Sequence, residues 1–315
     1  MKPLKVFGFA SALQISVSVP VVRAREFMRA GVATLLLALS SILTGLCIPV
    51  LAADQFTTID VPGAKDTFVL GINPQGDITG WYYDASFHAH GFLLRNGTFS
   101  TIDAPGPNGT SLQKINPSGD IVGESGSYGF LLSNGVFSTI EVPGSFNTAP
   151  LGINPQGNIV GAYNETSSVS TGFLLSNGTY TSFSASPPGT VYTVPEGINP
   201  RGDIVGGYSG VNYPNHGFLM SKGTFTTIDA PGAGTFGTWA SGINPRGDIV
   251  GYQDYTTAPF VYHGFLLSNG TFTAIDVPGA SSTEPRDINP SGDIVGTYTV
   301  TTPTFGFHGF LLTRE

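Results

Sequence analysis

The chain has 315 residues, and only 11% of them are charged, against roughly 25% in an average domain. Its 43 Gly, 23 Pro, 22 Phe and 12 Tyr disfavour helices and favour many short strands joined by tight turns. The net charge of −8, with no run of basic residues, excludes the electrostatic footprint expected of a nucleic-acid-binding protein.

Residues 1–53 predict an export segment. Arg29 precedes an apolar run over 31–46, and Val50 and Ala52 then occupy the −3 and −1 positions of a small-residue cleavage site. A transmembrane anchor is the alternative, but glycine and proline interrupt the apolar stretch, which is near the short limit for a membrane span. We therefore expect this segment to act as a cleaved signal peptide.

Removal of the export segment changes the charge and the chemistry of what remains. It takes away five of the 13 basic residues, one of the 21 acidic residues and the only cysteine, Cys47, which leaves a net charge of −12. The mature chain then has no disulfide and no thiol chemistry. Whether Met1 or Met28 is the true start, we expect a secreted, periplasmic or cell-surface bacterial protein. We expect it to be a monomer, with no nucleic-acid partner and no membrane contact after cleavage.

A tandem repeat fills the rest of the chain, 54–315, which we expect to be one domain. An Ile-Asn-Pro phrase recurs six times, and we number repeats 1 to 6 by its isoleucine: Ile72, Ile115, Ile153, Ile198, Ile243 and Ile288. A Gly-Phe-Leu-Leu or Gly-Phe-Leu-Met phrase follows in every copy. Spacings of 38 to 45 residues predict a propeller or a solenoid rather than independent domains.

Each repeat predicts four strands, A to D, and repeat 1 shows the pattern. Strand A covers 67–73 and leads into Asn-Pro-x-Gly, a type I turn signature. Strand B covers 77–83, strand C covers 90–95 after a variable loop, and an Asn-Gly hairpin signal leads to strand D at 98–103. Four antiparallel strands in a meander form one propeller blade.

The two ends of the repeat region complement each other. The region begins with a D strand at 55–61 and ends just after a C strand at 309–312, so the last blade lacks the strand that the N-terminus supplies. Pairing the two removes sheet edges that invite aggregation. We therefore predict an all-β, six-bladed β-propeller of four-stranded antiparallel blades, closed by the N-terminal strand. An open β-solenoid is the alternative.

The repeat resembles a known bacterial pattern. Ile-Asn-Pro-x-Gly-Asp-Ile-Val-Gly followed by His-Gly-Phe-Leu-Leu is similar to the HAF-type extracellular repeats, which carry Ile-Asn-x-x-Gly-x-x-Val-Gly and His-Ala-Phe-Leu segments. The resemblance covers 56–312, with Gly91 and its equivalents in place of the alanine and Ile-Asp-x-Pro-Gly in place of the usual Leu-Gly ending. It implies an exported, propeller-like protein of unassigned function.

Two repeated positions carry titratable side chains. Histidines precede Gly-Phe on strand C, and acidic residues recur at the end of strand D: His90, His216, His263 and His308, and Asp60, Asp103, Glu141, Asp229 and Asp276. One histidine per blade, away from the axis, does not converge on one ion, so we expect no metal site there. Instead we expect the histidines to bond loops and the carboxylates to bond backbone N–H groups at the Pro-Gly turns.

Threonine lies five residues before every repeat isoleucine: Thr67, Thr110, Thr148, Thr193, Thr238 and Thr283. Two interpretations are open. These side chains form a ring of hydroxyls at one mouth of the channel, or each caps the connection from strand D to strand A by a bond to the backbone.

Candidate ligand contacts are the residues that depart from the consensus on the innermost strand: Lys114, Glu196, Trp239, Arg286 and Asp287. We predict that they form a binding site at the channel mouth with exposed charges, and a salt-bridge plug is the alternative. The variable B–C and D–A connections gather at the same end of the blades. The B–C loops carry aromatic side chains that suit a sugar or a protein, among them Phe87, Tyr213, Tyr255 and Phe260.

No catalytic motif is present. The sequence contains no Gly-x-Ser-x-Gly, no His-Glu-x-x-His and no cysteine centre, and nothing in it implies a cofactor. We therefore expect a non-enzymatic binding or scaffold propeller whose ligand is a small molecule, a glycan or a protein. The alternative is a metal-dependent hydrolase or lyase, with Glu196, Glu284 and Asp287 as metal ligands at the channel mouth.

Overall fold

The computed structural model describes residues 55–166, 169–185, 189–210, 214–234, 236–254, 261–301 and 305–314. These residues contain 24 β-strands and no helix. The predicted export segment lies outside them, as do Tyr213, Tyr255 and Phe260 of the B–C loops. No helix in the described ranges is long and apolar enough to cross a membrane.

The strands follow the repeat. Repeat 1 forms β2 (Asp66–Ile72), β3 (Ile78–Tyr83), β4 (Ala89–Arg95) and β5 (Thr98–Ile102). Repeat 2 forms β6 (Thr110–Ile115), β7 (Ile121–Ser125), β8 (Tyr128–Ser133) and β9 (Val136–Ile140). Repeat 3 forms β10 (Asn147–Ile153), β11 (Ile159–Thr166), β12 (Val169–Ser176) and β13 (Thr179–Phe183). Repeat 4 forms β14 (Thr190–Ile198), β15 (Ile204–Gly210), β16 (Asn215–Ser221) and β17 (Thr224–Ile228).

The last two repeats complete the set. Repeat 5 forms β18 (Thr238–Ile243), β19 (Ile249–Asp254), β20 (Tyr262–Ser268) and β21 (Thr271–Ile275). Repeat 6 forms β22 (Ser282–Ile288), β23 (Ile294–Val300) and β24 (Gly306–Thr313), and its fourth strand is β1 (Gln55–Ile59) from the other end of the region. The strand bounds predicted for repeat 1 are therefore correct to within one residue.

Consecutive strands of each repeat pair antiparallel. Repeats 1, 2, 5 and 6 form separate four-stranded sheets, whereas repeats 3 and 4 share an eight-stranded sheet. The shared sheet arises because one parallel pair, Ser170 with Tyr192, joins β12 to β14. Each half of that sheet keeps the same antiparallel meander as the separate sheets.

The sheets stand in a propeller-like ring that the N-terminal strand closes. β1 pairs antiparallel with β24, from Gln55 opposite Thr313 to Ile59 opposite Gly309. Repeat 1 packs directly on repeat 6, because Val69 and Val295 belong to one buried cluster with Ile59. The predicted pairing of the two ends is confirmed, and an open solenoid does not describe the arrangement.

The core lies between successive sheets and is built from the repeated phrases. The phenylalanine of Gly-Phe-Leu is 0–2% exposed in every repeat: Phe92, Phe130, Phe173, Phe218, Phe265 and Phe310. A Cβ on the preceding residue, Gly91, would lie 2.5 Å from the carbonyl oxygen of Ile102 and 2.7 Å from Leu112. This crowding favours glycine at the position where the HAF-type repeats have alanine.

The short connections form one end of the ring, which we call the turn face. In repeat 1 the Asn73 side-chain oxygen accepts the N–H of Asp77 at 2.9 Å, and Gly76 takes a φ of 81°. Every repeat has this bond, at 2.9–3.0 Å. The C–D hairpin of repeat 1 has Asn96 and Gly97 at φ of 50° and 76°, as a type I′ turn requires. The opposite end, with the B–C and D–A connections, is the loop face.

Candidate functional site

A β-bulge on each innermost strand builds the candidate site. Every A–B pair shifts register just before the repeat isoleucine, because strand A carries one residue more than strand B at this point. The bulge position lies two residues before the isoleucine and holds a different kind of side chain from copy to copy: Leu70, Gln113, Leu151, Glu196, Ser241 and Arg286. Bulges re-aim side chains and are frequent beside functional sites.

Five of the six bulge residues surround one cavity at the axis, which we call the axial recess. Its lining residues are Leu70, Gln113, Lys114, Leu151, Glu196 and Arg286. The cavity holds about 40 Å³, which is room for a few water molecules or one small polar group. The recess therefore fits the end of a ligand or of a side chain better than a whole metabolite.

The next ring of residues toward the turn face is crowded. Four repeats have glycine directly before the isoleucine. A Cβ on Gly71 would lie 2.7 Å from the carbonyl oxygen of Gln113, and one on Gly242 would lie 2.9 Å from the Cα of Asp287. At the glycine positions the inner strands approach too closely for a larger residue.

Lys114 and Asp287 replace glycine in this ring and bind each other. The Lys114 ammonium lies 3.1 Å from Asp287 Oδ1, and both side chains are largely buried. Lys114 also donates to the carbonyl oxygen of Arg286, and Asp287 Oδ2 accepts the N–H of Ile72 at 3.1 Å. The pair thus ties repeats 1, 2 and 6 together. Lys114 lines the axial recess and also a second cavity on the turn face, so the pair lies between them.

Arg286 lies on the loop side of this pair, in a second ionic group. Its guanidinium bonds the Glu284 carboxylate and lies 4.9 Å above the ring of Tyr252, a cation–π geometry. Burial raises the pKa of the Tyr252 phenol. Burial alone lowers the pKa of Arg286, but Tyr252, Glu284 and Glu196 together raise it, so the arginine stays charged.

Glu196 completes the wall of the recess, and Trp239 holds it in place. The Trp239 indole N–H donates to Glu196 Oε1 at 2.6 Å. Room for the indole comes from Gly207, where a Cβ would lie 2.4 Å from the indole ring. Glu196 therefore reaches the recess while one of its oxygens is held by a neighbouring repeat.

The structure brings the five predicted contact residues together, but their state differs from the prediction. Their charges are not exposed: Lys114 and Asp287 form a buried pair, and Arg286 is paired with Glu284. The plug alternative therefore describes Lys114 and Asp287. Glu196 and Arg286 line the recess together with the paired Lys114.

The hydroxyl-ring interpretation of the repeated threonines is wrong. All six are 0–1% exposed, and each hydroxyl accepts a backbone N–H of the preceding D–A connection at 2.9–3.1 Å. The residues are Thr67, Thr110, Thr148, Thr193, Thr238 and Thr283. They fix the entry to each inner strand, as the capping alternative predicted.

The repeated histidines and carboxylates bind each other, which sequence reasoning missed. His90 lies 2.9 Å from Asp103 and the equivalent pairs lie 2.8–3.1 Å apart: His216–Asp229, His263–Asp276 and His308–Asp60. The hydrogen bond to Asp103 raises the pKa of His90. The signal was available, because strands C and D are adjacent and the two positions are 13 residues apart in the three pairs of continuous repeats, while His308 meets Asp60 through the strand pairing of the two ends.

The proposed metal ligands do not fit a metal. Glu196, Glu284 and Asp287 are each held by a different partner. Within the described ranges, no group of three or more His, Cys, Asp or Glu side chains is arranged to hold an ion. These three carboxylates are therefore not arranged as a shared metal site in the part of the chain that the structure describes.

The fold defines the chain as a propeller-like protein, and comparisons agree. A protein of unknown function from Dyadobacter fermentans matches with a TM-score of 0.52 at 13% identity, over 83% of this chain and 98% of that one. XC5397, a gluconolactonase from Xanthomonas campestris, matches with a TM-score of 0.52 at 12% identity, over 84% and 91%. A subtype N11 neuraminidase-like protein of A/flat-faced bat/Peru/033/2010 (H18N11) matches with a TM-score of 0.50 at 10% identity, over 83% and 94%.

At these identities the likeness shows the fold alone. One of the three proteins has no stated function and the names of the other two differ, so no activity transfers to this chain. No family model matches the sequence, and no curated protein matches it significantly.

Proposed function

We propose that this protein is an exported six-bladed β-propeller that acts as a non-enzymatic binding or scaffold protein, with the loop face as its binding surface. The blade count rests on the six four-stranded meanders, two of which are joined by a single bridge. Export rests on the N-terminal signal pattern and on the resemblance to HAF-type extracellular repeats.

One observation carries the binding proposal. The bulge position is repeated in all six copies, yet its side chains are leucine, glutamine, glutamate, serine and arginine. Packing alone accounts for the near-identical turns, cores and caps of the repeats. A varied set of side chains around one axial cavity is what recognition of an asymmetric ligand requires.

The chemistry of the recess defines the group that it accepts. Glu196 supplies a carboxylate acceptor, Arg286 a guanidinium donor, and Gln113 an amide oxygen acceptor, between the apolar walls of Leu70 and Leu151. The amide nitrogen of Gln113 already donates to Ser111 and Glu124. A small group with both donors and acceptors, such as a hydroxyl or amide terminus, satisfies these partners. The rest of such a ligand would lie on the loop face.

Trp239 gives a direct test, because the chain contains only two tryptophans. In a Trp81→Phe variant, emission comes from Trp239 alone, whose indole is bonded to Glu196. We expect a panel of amino acids, hydroxy acids and neutral sugars to contain compounds that shift this emission, and Glu196→Gln to abolish the shift. The proposal of an axial binding site is contradicted if no compound in the panel shifts the emission. It is also contradicted if the Glu196→Gln variant shows the same emission shift as the protein with Glu196.

Two further measurements test the other parts of the proposal. Mass spectrometry of protein exported from bacterial cells should show an N-terminus near Ala53, and an intact chain held in the membrane contradicts export. Metal analysis of the purified protein should show no stoichiometric metal. A bound metal that is lost on Glu284→Gln would revive the hydrolase or lyase alternative.

A further inference from the structure

A third cavity, distinct from the axial recess and from the turn-face cavity, lies away from the axis on the loop face of repeat 1. It runs between the B–C loop of repeat 1 and the connection to repeat 2, and it encloses about 400 Å³, within the roughly 300–1,000 Å³ range of ligand pockets. We call it the lateral groove, and its main lining residues are Tyr83, Phe87, His88, His90, Asp103 and Asn108.

His88, His90 and Asp103 line the lateral groove, and Asp84 lies beside both histidines. His90 lies between two acids, with Nδ1 2.9 Å from Asp103 and Nε2 3.7 Å from Asp84. His88 Nδ1 lies 3.5 Å from the same oxygen of Asp84. Asp103 and His88 are well exposed, with side-chain exposures of 45% and 75%, so acceptors and a donor face the solvent together.

Phe87 forms an aromatic wall whose position is built into the loop. It takes a φ of 61°, unusual for a phenylalanine, and remains 62% exposed. Asp84 Oδ1 holds the loop by accepting the N–H groups of Ser86 at 2.7 Å and of His88 at 2.9 Å. The Lys65 ammonium lies 3.6 Å from the ring centre. An exposed ring held in a strained conformation indicates a function for the ring itself.

The opposite wall is also fixed before any ligand binds. Tyr128 of repeat 2 donates to the carbonyl oxygen of Pro105 at 2.9 Å, and the N–H of Ala104 donates to Thr110 at 2.9 Å. Preorganised walls reduce the ordering cost of binding.

Repeat 4 shows which parts of the groove are additions to the scaffold. It has the same histidine–carboxylate pair, His216 and Asp229, at 2.8 Å. By strand register, Gly210 and Pro214 of repeat 4 stand where repeat 1 has Asp84 and His88. The second acid and the second imidazole are therefore additions specific to repeat 1 in this comparison, whereas Tyr213, at the position of Phe87, lies outside the described residues.

We propose that the lateral groove binds a neutral saccharide. A sugar ring stacks on Phe87 through its apolar face, while its hydroxyls bond the acceptors and donors of Asp103, His88 and His90. An organic cation would also suit an aromatic ring and carboxylates, but the positive charge of Lys65 over one face of Phe87 repels a second cation and does not repel a neutral sugar on the other face. The lateral groove is separate from the axial recess, and saccharide binding there does not depend on a ligand at the axis.

The test is calorimetric titration of the purified protein with cellotetraose, chitotetraose and β-1,4-galactotetraose, with tetramethylammonium as the cation probe. We expect at least one tetrasaccharide to bind. Phe87→Gly should weaken that binding about tenfold without lowering the melting temperature, because glycine accepts the positive φ that strains phenylalanine. Asp103→Asn should also weaken it about tenfold.

The matched control is Asp229→Asn, which breaks the equivalent pair in repeat 4 and should leave binding unchanged. The proposal is overturned if none of the three tetrasaccharides binds or if tetramethylammonium binds instead. It is also overturned if Phe87→Gly binds as well as the wild type, or if Asp229→Asn weakens binding as much as Asp103→Asn does.

Discussion

The two faces of this ring are made by the same six repeats, yet they differ in kind. On the turn face, each asparagine side chain accepts the same backbone N–H with nearly the same geometry in every copy. On the loop face, the bulge residues and the connections change from copy to copy. The comparison teaches that symmetry in this chain marks the scaffold, and we propose that departures from symmetry mark the surface used for recognition.

The comparison of the two faces requires that the ring of sheets is closed. Opening the ring should have the largest effect on folding. Deletion of 54–63 removes β1 and exposes the edge of β24, so we expect the truncated protein to aggregate or to lose cooperative unfolding. A synthetic peptide of residues 54–63 added in trans should restore a monomeric, cooperative fold by strand addition. Size-exclusion chromatography measures the oligomeric state, and thermal melting measures the cooperativity of unfolding. A truncated protein that stays monomeric and melts like the wild type contradicts closure.

The second prediction compares the buried ion pair at the axis with an exposed ion pair on the turn face. Lys114→Ala leaves Asp287 buried without its cation, which should cost about 3–5 kcal/mol of unfolding free energy. The turn-face control is Arg95→Ala, whose side chain is 51% exposed beside Asp77 and should cost about 1 kcal/mol or less. Denaturant titration measures both. Equal small losses would show that the axial pair does not tie the repeats together.

Much of the fold was predictable from the sequence, and the reasons are local. The repeated Asn-Pro-x-Gly and Asn-Gly turns fix where strands end, and complementary ends predict closure. Burial in the candidate site was not predictable: Lys114 reads as an exposed charge along the chain, and only the convergence of repeats 2 and 6 on the axis places it beside Asp287. The pairing of His90 with Asp103 needed the strand register as well as the motif spacing.

A third prediction tests the symmetry of the turn face. Asn73→Ala removes the acceptor for the N–H groups of Gln75 and Asp77 and should cost about 1–3 kcal/mol. Asn199→Ala in repeat 4 removes the same bonds, and the two costs should agree within about 0.5 kcal/mol. A larger difference in unfolding free energy would show that the turns are not equivalent.

The smallest expected effect is acid sensitivity of the turn face. Burial alone raises the pKa of Asp77, Asp203 and Asp248, but hydrogen bonds from neighbouring side chains outweigh it, and the net pKa is lowered. Because the folded pKa lies below the unfolded one, each carboxylate stabilises the fold above about pH 5. That contribution is lost as the pH falls below about 4. Asp77→Asn should weaken the dependence of the unfolding free energy on pH, measured by denaturant titration at several pH values. If the slope of that free energy against pH is unchanged, the lowered pKa of Asp77 does not contribute to acid sensitivity.

The most direct test of the central claim is to map binding onto the two faces with one compound, the one that shifts Trp239 emission most. Calorimetric titration should show that Arg286→Gln weakens its binding at least about tenfold, since the loss of a charged hydrogen bond has that effect. Arg246→Gln on the turn face, where the side chain is 55% exposed and paired with Asp248, should leave binding unchanged. If binding survives Arg286→Gln and is lost with Arg246→Gln, recognition belongs to the symmetric face and the account is wrong.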